Sequence, residues 1–188
     1  MARIEKIVNQ YKDDILIWDV VNEATAYDRQ FPRKNAPILT AAIDQMGVDQ
    51  YLIDAFQAAR RGNQNAELII NDFKTGRKFK TTVLEPMVIG DFPLFDVIGI
   101  QSHMHNGYWG SDRIWTLCEK FKEFGRPIHF TEISIVSGQK SGEKWETNPE
   151  EEITQAKQVV DLYTILFSNP NVEAITWWDF SDQGTWKG

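Results

Sequence analysis

The sequence predicts an α/β fold in which a parallel sheet is covered by helices. Three observations carry that expectation. Short apolar runs alternate with longer runs of helical spacing, the apolar runs lack the in–out alternation of a half-exposed strand, and each ends on polar residues. In chain order, residues 3–12 have amphipathic helical spacing and precede a first strand over 15–21. Residues 22–42 are the longest segment with no regular pattern, and a long irregular loop in a compact domain is usually functional. Tyr51, Leu52, Ala55, Phe56 and Ala59 mark a helix over 48–61 before a second strand over 68–71. The stretch 78–90 reads as a short helix, and 97–101 as a third strand. A helix over 111–124 has Ser111 at its expected N-cap and Gly125 just past its end. A fourth strand covers 128–131. The longest helix, 149–167, opens on Asn148-Pro149-Glu150-Glu151, with proline and acids where a helix N-terminus favours them. The fifth strand is 174–178. Trp18, Trp115, Phe56 and Phe95 have strand or helix spacing and are expected in the core.

A chain of 188 residues, 42% hydrophobic, is expected to bury one core as one domain. Its net charge of −7 speaks against a nucleic-acid or anionic-membrane partner, because both need a basic face. The opening MARIEKIVNQYKDD is charged and has no apolar stretch of the export-signal kind, and no run approaches the roughly 18 apolar residues of a membrane-spanning helix. The one cysteine, Cys118, excludes an internal disulfide, and its neighbours Ile114, Trp115, Leu117 and Phe121 suggest a buried thiol on a helix face. The 7 tryptophans, 11 phenylalanines and 5 tyrosines exceed what a core of this size needs. Trp109, Trp145 and Trp186 lie among turn-forming residues, where flat aromatic faces suit flat ligands such as sugar rings. Tyr108 and Trp109 are candidates for such stacking.

The strand ends suggest chemistry. They read Asn22-Glu23, Asn71-Asp72, Gln101-Ser102-His103, Thr131-Glu132 and Trp178-Asp179. Parallel strands carry all their carboxyl ends to one face, and polar residues gathered there mark the active site of a (β/α) barrel. Two carboxylates in partly apolar surroundings acquire unequal proton affinities. Glycoside hydrolysis requires such a pair, one acid to protonate the leaving oxygen and one carboxylate to attack or to activate water.

The segments WDVVNEA, INDF, GIQSH, FTEIS and ITWWDFSDQGTW resemble, in order and rough spacing, the later motifs of glycoside hydrolase family 10, the xylanases. The likeness covers essentially all 188 residues. It implies an eight-stranded (β/α) barrel of which this chain supplies strands four to eight, as a partial catalytic domain over 1–188. It implies retaining hydrolysis of internal β-1,4 bonds of xylan, with the two carboxyl groups about 5–5.5 Å apart. On this resemblance Glu23 is the general acid/base and Glu132 the nucleophile. Asn22 meets the sugar 2-hydroxyl, while Gln101 and His103 hold the nucleophile and the same sugar. Trp178 and Trp186 wall the site, and Asn71, with Asp72, is the polar pair after the fifth barrel strand. No cofactor or metal is implied. The partner is xylan or a xylo-oligosaccharide, and relatives are mostly secreted.

Three departures from the family pattern carry expectations. Strands one to three are expected elsewhere, so the edges at 15–21 and 174–178 should be exposed and the chain should aggregate, self-associate or pair with the absent part. Ser134 stands where an aspartate usually follows the nucleophile, which suggests an altered protonation of His103 or a substitute acid. Asp179 and Thr185 replace the usual glycine and serine. Two other readings remain open: a metal-dependent hydrolase using His103 and His105, and a half-barrel that binds carbohydrate without turning it over. His129, of opposite strand parity to Glu132, is expected to point into a packed layer.

Overall fold

A computed structural model describes residues 1–141 and 144–181. Trp186 and the side chain of Trp145 lie outside what it describes. The chain divides into two compact units, Met1–Ile100 and Gln101–Gly188.

The first unit begins with α1 (Ala2–Gln10), β1 (Ile17–Asn22), α2 (Gln30–Asn35), α3 (Pro37–Met46), α4 (Val48–Gly62) and β2 (Glu67–Asp72). It continues through α5 (Arg77–Phe79), a π turn (Lys80–Leu84), a 3-10 turn (Glu85–Met87), the short β3 (Val88–Ile89) and β4 (Phe92–Pro93), and ends in β5 (Val97–Ile100). β1 and β5 both pair in parallel with β2, with Asn22 opposite Asn71 and Asn71 opposite Gly99. Leu68, Ile70, Val97 and Ile98 are fully buried, as strands covered on both faces should be. α4 presents Leu52, Ala55, Phe56 and Ala59 to this core. Burying a phenylalanine such as Phe56 stabilises by about 1.5–3 kcal/mol. Arg60 ties the lower end of the sheet together, pairing with the Asp96 carboxylate and donating to the Ala66 carbonyl at 2.5 Å. Asp96 also accepts the Leu68 amide at 2.9 Å.

Two expectations for this unit are corrected. The segment 22–42 is largely helical: Pro37 opens α3 at a first-turn position where a missing amide proton costs nothing, and Thr40 and Ile43 bury its inner face. The sequence pattern is weak there because only those two residues of α3 are buried. Trp18 is half-buried rather than core, its indole donating to the Ile15 carbonyl at 3.1 Å. The expected exposed edge is present. Among the described residues β1 pairs only with β2, and Leu16 and Ile17 are 57% and 52% exposed. The short helix expected near 78–90 is found as α5 and its two following turns.

The second unit comprises β6 (His103–Met104), α6 (Ser111–Phe121), β7 (Ile128–Ile135), β8 (Gln139–Ser141), β9 (Lys144–Glu146), α7 (Pro149–Ser168) and β10 (Val172–Trp177). β7 pairs in parallel with β10 and, at its far end, with β6. α7 begins with a complete capping box: Asn148 Oδ1 accepts the Glu151 amide and the Glu151 carboxylate accepts the Asn148 amide, each at 3.0 Å. Ser111 is not the N-cap of α6. Gly110 occupies that position, and the Ser111 hydroxyl instead donates at 2.7 Å to Asp161 on α7, which also receives the Tyr108 hydroxyl at 2.6 Å. These two donors hold the Asp161 carboxyl below the usual range, while burial and the Asp161 charge hold the Tyr108 phenol far above its own. Gly125 ends the helical segment with φ 61°, the left-handed conformation a glycine adopts without strain. Cys118 is fully buried and its thiol is pushed up to about 12, first by desolvation, as an inert core thiol should be. Trp115 is 43% exposed, against expectation, because it lies one position off the stripe formed by Ile114, Leu117, Cys118 and Phe121. No helix among the described residues is long and apolar enough to cross a membrane.

Candidate active site

In the first unit the polar residues close β1 and β2. Asn22 is the last residue of β1, and the chain turns at Glu23, whose φ of 58° places it in the left-handed region. The Glu23 amide donates to the Asn71 carbonyl at 2.9 Å, which carries sheet pairing one residue past the strand. Asn71, fully buried, donates its side-chain amide to Asn22 Oδ1 at 3.1 Å. Gly99 leaves room for it: a Cβ there would stand 2.6 Å from Asn71 Oδ1 and 2.9 Å from the Ile69 side chain. The turn after Glu23 is pinned by Asp72, which is fully buried. Its carboxylate accepts the Thr25 amide at 2.9 Å, the Thr25 hydroxyl at 2.7 Å and the Lys74 amide at 2.8 Å. Burial pushes the Asp72 carboxyl above the usual range; the Thr25 and Lys74 bonds pull it down without cancelling that, and the Glu23 charge adds to the rise. Lys78 caps the arrangement, donating to the Thr25 carbonyl at 2.8 Å. The half-buried Glu23 is therefore aimed by its backbone. Thr25 and Lys78 went unnoticed in the sequence, since neither lies in an apolar run or at a strand end.

In the second unit β7 runs four residues beyond its expected end, so Glu132 and Ser134 lie within the strand and not after it. The extension exists because β6 pairs there, His103 opposite Ser134 and Met104 opposite Ile135. Glu132 and Ser134, two apart, share a face of β7 with the His103 ring. His103 Nε2 lies 3.2 Å from Glu132 Oε2, and Nδ1 lies 2.7 Å from Ser134 Oγ. The Ser134 hydroxyl also meets His105 Nε2 at 3.1 Å, and the two imidazoles stack 5.2 Å apart, 16° from parallel. His105 thus stands beyond the serine that replaces the usual aspartate. His129 is buried, its Nε2 3.8 Å from a Glu173 carboxylate oxygen. Among the described residues no three or more His, Cys, Asp or Glu side chains gather at metal-binding spacing.

Gln101 is buried just before β6, and Ser102 has φ 58°, with its hydroxyl donating to the Gln101 carbonyl at 2.6 Å. Trp178 follows β10, its amide donating to the Ile133 carbonyl at 2.7 Å and its side chain 41% exposed. Trp177 and Trp178 are both exposed, as expected for an open edge. Trp109 lies under the Arg113 guanidinium, 4.6 Å from it. Among the described residues the only non-glycine residues with positive φ are Glu23, Ser102 and Asp179, at 58°, 58° and 76°. All three follow strands at the polar ends, where backbone strain is characteristic of functional sites. Asp179 explains one departure. The position requires a left-handed backbone, which glycine adopts freely and aspartate better than most other residues.

An acid just past one parallel strand and another in the second half of a parallel strand, paired with an imidazole, fit an α/β protein of the (β/α) barrel class. The chain belongs to glycosyl hydrolase family 10, whose model matches residues 2–188. Endo-1,4-beta-xylanase A of Caldicellulosiruptor saccharolyticus is 30% identical over 98% of this chain and 55% of its own length. A thermostable celloxylanase of Thermoclostridium stercorarium is 31% identical over 97% of this chain and 48% of its own length. Among solved structures, a psychrophilic glycoside hydrolase family 10 endo-beta-1,4-xylanase matches with a TM-score of 0.76 and 27% identity, over 98% of this chain and 58% of that one. The chain spans about half the length of these relatives. The fold is accordingly an incomplete (β/α)8 barrel, represented by the parallel strands β1, β2, β5, β7 and β10.

Proposed function

We propose that residues 1–188 form part of the catalytic domain of a retaining endo-1,4-β-xylanase acting on xylan or xylo-oligosaccharides. The observation that carries this reading is the Glu132 carboxylate held on a strand by His103 Nε2 at 3.2 Å. A nucleophilic carboxylate must stay ionised and keep one oxygen aimed at the anomeric carbon, and an N–H donor on the other oxygen does both. In the first half-reaction Glu132 attacks the anomeric carbon while Glu23 gives its proton to the departing glycosidic oxygen. In the second, Glu23 takes a proton from water, which displaces Glu132 from the sugar with a second inversion, so configuration is retained. Asn22, oriented by Asn71, donates to the 2-hydroxyl, a contact that strengthens as the ring approaches an oxocarbenium ion. Gln101 supplies a fixed dipole beside the nucleophile, and Trp178 and Trp186 stack on the sugar. Xylan itself is too large to enter a cell, so action on the polymer would take place outside one.

The test is xylan hydrolysis by the chain, with the anomer first released followed by NMR. Initial release of the β-anomer and loss of turnover in Glu132→Ala support the assignment. Initial α-anomer, or turnover indifferent to that substitution, ends it. The exposed apolar residues of β1 favour an associated partner at that edge, either the absent barrel strands or a second copy, so the assay is run over a range of chain concentrations.

A further inference from the structure

We propose that His105 is a positioning residue for the Glu132 carboxylate, acting through Ser134 and His103. The inference rests on the assignment of Glu132 as nucleophile and deepens it. A serine hydroxyl has one proton and so can donate to only one of the two rings it meets. Glu132, ionised, requires an N–H from His103 Nε2 at their 3.2 Å separation. A neutral His103 with its proton there presents a bare lone pair at Nδ1, which the Ser134 hydroxyl fills at 2.7 Å. The Ser134 oxygen is then free to accept, and His105 Nε2–H lies 3.1 Å away to donate.

Every link therefore points the same way, from His105 through Ser134 and His103 to Glu132. While His103 is neutral, reversing any one link reverses the rest and sets the His103 Nε2 lone pair against a carboxylate oxygen. An aspartate at position 134 would accept from Nδ1–H while Glu132 accepts from Nε2–H, and would so hold the ring as an imidazolium with both protons in place. A serine cannot choose, because its proton turns either way; His105 makes the choice. The stacked rings, 5.2 Å apart and 16° from parallel, also fix the plane in which His103 presents its proton. His105 further lines a pocket of about 430 Å³ with Tyr108, Gln155 and Gln158. It is a second orienting imidazole in place of the missing acid.

The experiment is nitrogen-15 NMR of the histidine rings in the chain and in four variants, recorded where both rings are neutral, with hydrolysis kinetics alongside. The unaltered chain should show His103 as a single tautomer with its proton on Nε2. Ser134→Thr, which keeps the hydroxyl, and His105→Gln, whose side-chain amide still donates, should preserve it. Ser134→Ala and His105→Leu should both convert His103 to a mixture of tautomers and lower kcat roughly tenfold with KM little changed. A His103 spectrum identical in all five proteins overturns the proposal, as does mixing in the Thr and Gln variants equal to that in Ala and Leu. Absence of hydrolysis in the unaltered chain would count against the xylanase assignment alone, since the spectra judge the hydrogen-bond order independently.

Discussion

Glu23 and Glu132 are held in opposite ways. In the first unit the carboxylate-bearing residue takes a left-handed backbone conformation, and a buried network around Asp72 locks the turn that follows it. In the second unit Glu132 lies inside a continuous strand, and the His103 side chain on a neighbouring strand holds its carboxylate. The difference fits the roles proposed for the two acids. A residue that gives and takes a proton needs freedom at the carboxyl and rigidity behind it; a nucleophile needs a constant charge and a constant direction.

Substitution of the two acids should separate them most. Glu132→Ala is expected to lower kcat/KM on xylan by at least about 10⁴-fold, whatever the leaving group. Glu23→Ala should cost roughly 10²–10⁴-fold on xylan yet spare the glycosylation step for aryl xylosides with acidic phenol leaving groups. Burst kinetics with such substrates check this, and equal losses on both substrates would erase the distinction.

Next come the supports. Asp72→Asn keeps the volume but turns an amide N–H₂ toward one of the three donors, so it should destabilise the chain by about 1–3 kcal/mol by urea denaturation. The folded-state carboxyl lies above its unfolded value near 3.9, so protonation favours the fold. Its contribution is fully present below about pH 4 and lost as pH rises through the raised value. That slope should vanish in Asp72→Asn, and its persistence would assign the pH dependence elsewhere. Gly99→Ala pushes a methyl group against Asn71 Oδ1 and should cost about 1–3 kcal/mol, with reduced catalysis because Asn22 loses its orienting partner. An unchanged midpoint would show that the sheet yields there.

The smallest effect belongs to the edge. If the chain self-associates through this edge, Leu16→Lys with Ile17→Lys should lower its sedimentation coefficient while leaving the denaturation midpoint nearly unchanged, since both residues are more than half exposed. A monomer already in the unaltered chain would remove the case for an edge partner.

The five long strands, the four principal helices and the apolar character of Phe56, Phe95 and Cys118 were legible in the sequence, because burial on a period of two or 3.6 leaves a local mark. So were the residues at the strand ends, because an apolar run that stops on an acid or amide is visible without any partner. The sequence by itself therefore determined the fold class and nominated both acids. Only the tertiary structure decided that α3 forms in the segment after Glu23, that β7 continues through Ser134, and that His105 backs the serine. The last two depend on residues distant in the chain, β6 for the end of β7 and Ser134 for the two imidazoles, as the turn at Thr25 depends on Asp72. Hydrogen bonds between strands leave no periodic trace in either partner, so their outcome is settled where the chain folds back on itself.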